Sequence, residues 1–470
     1  MDLSTLSRVV DLRDDKRSLN AASLDSGFVV CRKPHAVIVP KSADDVLQVI
    51  GWANQSNCPV SIRGAGHTHG GQTLTSRGIV IDLRGLNRVG DIEGETIEVQ
   101  SGVMWRDLVA HVLPRGYLPR VLTNNLDTTV GGTLATGGLG RSTHHYGVQS
   151  DNVEEMQVVT GVGELMRCST TENRVLFDGT RGGLGQFSVI TKARIRLRKV
   201  APKIRTFSLM YDDLKTLMED LEILMFRDQF MYLRGWYRHR SQEFGAPEDA
   251  GSAGPEWQYP LHASVEFDDA EPNRDELLRD LNYTRLIRVE DQSHLNFSDQ
   301  LEPVPNAARR RPMAAVASPV TEGLIPWSEV HNYATRLLEH FPPALLPYCS
   351  MMLRPLRNDR LQSPMLVAPK TGLGMGFGII PCIPRIILSQ GLQIVEDAGH
   401  LMTVHGGKRY LTGWINFDHD QWQAHYETLW PQILEWKARF DPKGILNPDF
   451  IHYHPRIPAE ADEIGLKSPK

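Results

Sequence analysis

The sequence predicts an α+β protein of more than one domain, and three observations carry that expectation. Strand-period and helix-period segments alternate through the first 200 residues, interrupted by three glycine clusters. A second alternation of different composition begins near Ala201-Pro202, and a helix-rich ending follows about 200 residues later. The chain has 470 residues, 41% hydrophobic and 23% charged, which is enough for two or three domains with a sizeable core.

Composition also excludes several classes. A net charge of −5 and the lack of a Lys/Arg stripe give no reason to expect nucleic acid. Arg309-Arg310-Arg311 reads as a solvated loop. No apolar run of about 18 residues suggests a membrane span. Met1-Asp2-Leu3-Ser4 lacks an apolar signal core, so a cytoplasmic protein is expected. Cys31, Cys58, Cys168, Cys349 and Cys382 have no CxxC spacing and read as free, mostly buried thiols; no metal site is expected.

In chain order, residues 1–30 carry no clear assignment. Ala36-Val37-Ile38-Val39 reads as a strand closed by Pro40. Ser42 is placed to cap a helix whose apolar face is Val46, Val49, Ile50 and Ala53. Val60 and Ile62 alternate with polar neighbours and lead into Gly64-Ala65-Gly66-His67-Thr68-His69-Gly70-Gly71-Gln72; Gly78 to Leu83 reads as the next strand. Glycines let backbone approach a ligand closely, and successive N–H groups can form an anion nest. No helix begins at these glycines, and no Gly-Lys-Ser/Thr follows, so neither a dinucleotide fingerprint nor a Walker loop is present. An ordinary glycine-rich hairpin is the competing reading.

Thr96 to Val99 reads as a strand and Met104 to Val112 as a helix. Residues 122–147 form a long glycine- and hydroxyl-rich stretch with little periodicity, expected to lie against something flat or phosphorylated. Val153 to Thr160 and Glu164 to Cys168 read as paired strands. After Gly182-Gly183-Leu184-Gly185-Gln186, the run from Phe187 to Leu197 alternates like a long edge strand. Farther on, Leu214 to Met225, Asp275 to Leu286, Trp327 to His340 and Gln393 to Met402 are expected helices. Met231 to Trp236 and Ala263 to Phe267 are expected strands. Near the end Trp422, Tyr426, Leu429 and Ile433 follow a helical period, with Pro431 opening a second helix. The expected units are 1–200, 201–404 and a segment 405–470 that returns to the first.

The order of these motifs resembles one family. Arg63-Gly64-Ala65-Gly66-His67-Thr68 with Gln72, Thr129-Val130-Gly131-Gly132-Thr133-Leu134, Asn152-Val153, Val159-Thr160-Gly161, Gly182 to Phe187, and Trp422, His425, Trp430, Lys437, Phe440-Asp441-Pro442 with Ile445-Leu446 are similar to the vanillyl-alcohol-oxidase (para-cresol-methylhydroxylase type) FAD enzymes. The cytokinin dehydrogenase branch is the most similar. The likeness spans most of 36–200 and 405–450 and is poor between them.

The resemblance implies a two-subdomain FAD-binding domain of the para-cresol-methylhydroxylase type plus an α+β substrate (cap) domain. It implies FAD held by Ile62, Gly64, Ala65, Gly66, His67, Thr68, Gln72, Asn124, Thr129, Ala135, Leu139, Ile190 and Asn447, with one covalent bond from His67 to the flavin 8α-methyl. It implies an FAD-dependent oxidase or dehydrogenase that takes a hydride from a small-molecule substrate, at a C–N bond, and passes electrons to dioxygen or another acceptor. A homodimer is compatible with the sequence.

One departure matters. Where the family has a proton-accepting aspartate, this chain has Asn124, a carboxamide that cannot act as a base near neutral pH. Asp127, Tyr146, His144 and His145 are candidates to replace it, each against an ordinary loop role. Trp236, Tyr232 and Trp257 are candidates for an aromatic pocket wall or for core. The alternatives to C–N oxidation are an alcohol or hemiacetal oxidase of secondary metabolism, which Asn124 would suit, and a non-catalytic flavin-binding protein.

Overall fold

The computed structural model describes residues 3–239, 256–298, 315–341 and 349–455; Arg309-Arg310-Arg311 lie outside them. Within residues 1–30, unassigned from sequence, the first described element is a short turn of helix, Leu6–Arg8. The strand Leu12–Arg13 and the helix Lys16–Ala21 follow. Leu12–Arg13 joins a four-stranded sheet in the order Leu12–Arg13, Ala36–Ile38, Ile79–Asp82, Val60–Arg63. Between the second and fourth of these strands runs the helix Ala43–Ser56. The Ser42 hydroxyl accepts the Asp45 N–H at 3.1 Å and caps it, and Val46, Val49, Ile50 and Ala53 are its buried face.

Val60–Arg63 pairs with Ile79–Asp82 in parallel. Parallel neighbours cannot be joined by a tight turn. The glycine–histidine segment is therefore not a hairpin. It is a loop from 64 to 78 that leaves the end of one strand and returns to the start of the next.

A six-stranded sheet packs beside the first. Its path is Val89–Glu93, Thr96–Gln100, Ser188–Lys199, Val153–Thr160, Leu165–Ser169, with Tyr117–Pro119 also on Ser188–Lys199. The expected edge strand is thus central, bonded on both sides. Its polar alternates misled the reading. Lys192, Arg194 and Arg196 pair with Glu98 (3.0 Å), Glu93 (2.7 Å) and Glu154 (3.5 Å), forming a charge ladder on one face. Ile190, Ala193, Ile195 and Leu197 join the apolar core on the other.

The middle of the chain builds an eight-stranded sheet in the order Arg285–Ser293, Lys203–Tyr211, Trp257–Phe267, Tyr232–His239, Cys349–Arg357, Leu373–Pro381, Thr321–Pro326, Lys408–Arg409. Period-two alternation gives it two unlike faces. Phe207, Leu233, Leu261, Leu353 and Phe377 pack on the helices Leu214–Phe226, Val330–His340 and Leu388–Val404. The opposite face turns toward the glycine loops. The helix expected from Asp275 to Leu286 is only Arg274–Leu277. Asn273 caps its start, but Asp280 adopts a left-handed φ of +66° and ends the helical path; Arg285 onward is a strand.

The chain closes with the helices His419–Tyr426 and Trp430–Phe440, the second with Pro431 in its first turn. None of the five cysteines is in a disulfide. Among the described residues, no helix is long and apolar enough to cross a membrane.

Candidate active site

The three glycine-bearing stretches meet at one cavity of about 310 Å³, within the range of small-molecule sites. One wall is the loop from Ile62 to Thr73. A second is the stretch from Thr123 to Leu139, and Leu184, Gly185, Ile190 and Asn447 close the floor. The opposite face of the eight-stranded sheet and its flanks supply the roof, with Val320, Glu322, Met352, Arg354, Ile380 and Tyr410.

The glycines keep this space open. A Cβ at Gly64 would collide with the Thr129 Oγ1, and one at Gly185, where φ is +67°, would lie 2.7 Å from Asn447 Nδ2. The stretch read as irregular contains a capped turn of helix, Val130–Leu134. The Thr129 Oγ1 accepts the Gly132 N–H at 3.3 Å, so the run of glycines and hydroxyls is a helix start aimed at the cavity.

His67 lies at the cavity wall with its ring exposed. Its Nε2 donates to the Asp127 carbonyl at 3.1 Å, and its Nδ1 lies 3.4 Å from Asn125 Nδ2. Asn125 in turn accepts the Asp127 N–H at 2.9 Å, which fixes the turn presenting that carbonyl. Desolvation by surrounding protein lowers the His67 pKa, with the Asp127 carbonyl opposing, so the ring is neutral near pH 7. Gln72 lines the cavity, but its amide is committed elsewhere. Nε2 donates to Leu411 and Gly413 carbonyls at 2.9 and 2.8 Å, and Oε1 accepts the Gly70 N–H at 2.8 Å. It ties the loop to the segment entering the C-terminal region.

All thirteen residues expected to hold FAD, including Asn124, line this one cavity. The donor set fits a flavin nucleotide. Glycine backbone and hydroxyls line part of the cavity, as a diphosphate needs, and Ile62, Leu139, Ala135 and Ile190 offer apolar surface to a flat ring. The buried Thr68 Oγ1, on this wall, has no partner within the described protein. An orphaned hydroxyl there calls for a ligand acceptor or donor.

The expected proton acceptors do not gather. Asn124 is buried at the cavity, and its Oδ1 accepts the Arg141 Nε–H at 3.1 Å. The Asp127 carboxylate instead points to solvent. It pairs with Arg106 at 2.8 Å, a contact that holds its carboxyl below the usual range, and it does not line the cavity. Tyr146 is half-buried under the Arg120 guanidinium, 5.8 Å from the ring centre, and is likewise outside the lining. His144 and His145 both lie 3.0 Å from the Phe230 carbonyl, with their pKa values lowered chiefly by burial. The aromatic candidates are packing residues. Trp236 stacks edge-on to His262 at 4.6 Å, the Tyr232 hydroxyl donates to Glu266 at 2.6 Å, and Trp257 lies 4.9 Å from Tyr237.

Sequence reading missed the roof. Glu322 lies in the buried strand Thr321–Pro326, to which the sequence reading assigned no element. A lone acid in the otherwise uncharged run Val320-Thr321-Glu322-Gly323-Leu324-Ile325 was the available signal.

Residues 34–169 match the family model described as an FAD binding domain. An uncharacterized oxidoreductase, ORF5 in the fasciation locus of Rhodococcoides fascians, is 29% identical over 93% of this chain and 97% of its own length. Cytokinin dehydrogenase 10 of Oryza sativa subsp. japonica is 27% identical over 95% of this chain and 89% of its own. Cytokinin dehydrogenase 5 of Arabidopsis thaliana is 27% identical over 90% of this chain and 86% of its own.

Proposed function

We propose, on the premise that this chain is an FAD-dependent oxidoreductase of the para-cresol-methylhydroxylase type, that it oxidises a small molecule at a C–N bond and carries its flavin covalently on His67. The observation that carries the reading is the convergence of all three glycine-bearing stretches on one trough roofed by the middle sheet. The names of the plant relatives favour an amine substrate.

FAD, when bound, supplies the two-electron acceptor for the hydride. The chain supplies the rest. The loop from Gly64 to Thr68 and the helix start at Thr129 would hold the diphosphate through backbone N–H groups and hydroxyls. The His67 Nε2–H is committed to the Asp127 carbonyl, and the Nδ1 lone pair takes only the longer contact from the Asn125 amide, so the tether would form at Nδ1 with that contact given up. Asn124, anchored by Arg141, hydrogen-bonds substrate without taking its proton. The middle sheet excludes water from the reacting carbon.

The experiment is direct. Holoprotein precipitated in acid is expected to keep its yellow colour, and His67→Ala is expected to fold and release it. Colour that leaves the wild-type chain removes the tether. A coloured protein bleached anaerobically by no amine removes the C–N reading, and bleaching by alcohols alone replaces it with alcohol oxidation.

A further inference from the structure

We propose that the Glu322 carboxylate is the proton acceptor of the oxidation, held in place by Arg354. The assignment rests on the reading just given, and deepens it.

The seat of Glu322 is built by strand register. Glu322 and Met352 both lie opposite Gly378, and Arg354 lies opposite Gly376, on the face turned to the cavity. Two glycines in the middle of a sheet weaken it. Here they leave room, since a Cβ at Gly378 would stand 3.3 Å from Met352 Cε and 3.5 Å from Glu322 Cδ. Arg354 Nη1 donates to Glu322 Oε1, and both side chains are buried. Strand backbone holds the carboxylate from behind, for the Tyr410 N–H donates to the Glu322 carbonyl at 2.8 Å. Such a pair fixes the carboxylate's orientation, as a proton acceptor needs.

Elimination points to the same group. Glu322 is the one carboxylate lining the cavity among the described residues. Asn124 is an amide, and Asp127, Tyr146, His144 and His145 lie outside the lining. His69 is inside it, but its Nδ1–H is committed to the Ser318 carbonyl at 2.8 Å, which fixes the ring as a tie between the loop and that segment. The Tyr410 phenol is also inside, with its pKa raised by burial and by the Glu322 charge. It accepts the Gly138 N–H at 3.1 Å, so it is a hydrogen-bonding wall.

The step balances. The substrate C–H bond breaks with both electrons leaving for the flavin. The N–H bond breaks, its electron pair closes the C=N bond, and the proton passes to a Glu322 carboxylate oxygen. The substrate is oxidised by two electrons and the cofactor is reduced by two.

The test compares wild-type holoprotein with Glu322→Gln and Glu322→Asp, each checked for flavin content and melting temperature. Two readouts are taken. The first is the anaerobic rate of flavin bleaching by the best amine of a panel. The second is calorimetric binding of aniline, a neutral N–H donor with no α-hydrogen to lose. Glu322→Gln is expected to slow bleaching by about a hundredfold or more. It is expected to weaken aniline about tenfold, the scale of a lost charge-assisted hydrogen bond. Glu322→Asp keeps a carboxylate and is expected to recover a good part of both. It carries the comparison alone if the glutamine variant does not fold, with both readouts then expected between zero and the wild-type value. Bleaching or aniline binding unchanged in a folded Glu322→Gln protein overturns the assignment, as does absence of aniline binding by the wild type. A wild type that no substrate bleaches overturns the proposed function itself, and is seen before any variant is made.

Discussion

Asn447 Oδ1 accepts the Ile62 N–H at 2.9 Å, across 385 positions of sequence. The same side chain donates through Nδ2 to the Leu184 carbonyl at 2.7 Å, and its backbone N–H donates to the Val60 carbonyl at 2.9 Å. One asparagine thus joins two of the glycine stretches at the cavity floor. It sits at φ +42°, a left-handed conformation that asparagine tolerates better than most residues. Behind it, buried Lys437 Nζ donates to Asp441 at 2.7 Å and to the Gln186 carbonyl at 2.8 Å. Asn447→Ala leaves the Ile62 N–H unpaired and puts alanine in that conformation. It is expected to cost about 2–4 kcal/mol, read as a shift in urea midpoint. An unchanged midpoint would show that the tail does not hold the floor.

How much of this was legible in sequence follows from what each signal encodes. The Ser42-capped helix and the paired strands after Asn152 are local, and they appear where capping and alternation placed them. The thirteen cavity residues came from the resemblance, not from periodicity. Ser188–Lys199 was misread as an edge because Lys192, Arg194 and Arg196 look solvated in one dimension, while their carboxylate partners stand on other strands. The roof was invisible for the same reason. Glu322 and Arg354 are 32 residues apart, and only the register through Gly376 and Gly378 makes them neighbours.

Asp127 was a candidate base, and its surroundings argue otherwise. Its carboxylate pairs with Arg106 in solvent, while its backbone carbonyl holds His67. Asp127→Asn keeps the carbonyl. Flavin bleaching is expected to stay within about twofold of wild type, against the hundredfold or more that losing a general base costs. Stability is expected to change by no more than about 1 kcal/mol, since the ion pair is exposed. A large fall in bleaching rate would return Asp127 to the mechanism.

Asp25 makes stability depend on pH in an unusual sense. Burial raises its carboxyl from 3.8 to about 6, against opposing hydrogen bonds from Val29, Val30 and Gly71. Its Oδ1 accepts the Val29 N–H at 2.9 Å, while its buried Oδ2 has no partner within the described protein. Between those two pKa values the folded chain holds a proton that the unfolded chain has released. Asp25 therefore favours folding at about pH 4, and that advantage is lost as pH rises through about 6. At about 1.4 kcal/mol per pKa unit the change approaches 3 kcal/mol. Asp25→Asn should flatten this part of the profile and stand above wild type at pH 7. Urea midpoints that run parallel for the two proteins across this range would refute it.

Gly64→Ala separates the loop's binding role from its folding role. The new Cβ would run into Thr129 Oγ1, the atom that caps the Val130–Leu134 helix. Thr129 can turn away only by giving up its bond to the Gly132 N–H, which costs about 1 kcal/mol. The glycine is not otherwise needed for backbone freedom, because its φ is outside the left-handed region. Global stability of protein freed of flavin should therefore fall by little more than the cap. Flavin incorporation during expression should fall much further, because the methyl enters the trough between the two walls proposed to hold the diphosphate. The ratio of flavin absorbance to protein absorbance reads the second effect, and a urea midpoint reads the first. Full flavin content in Gly64→Ala would mean that the cofactor does not lie against this turn.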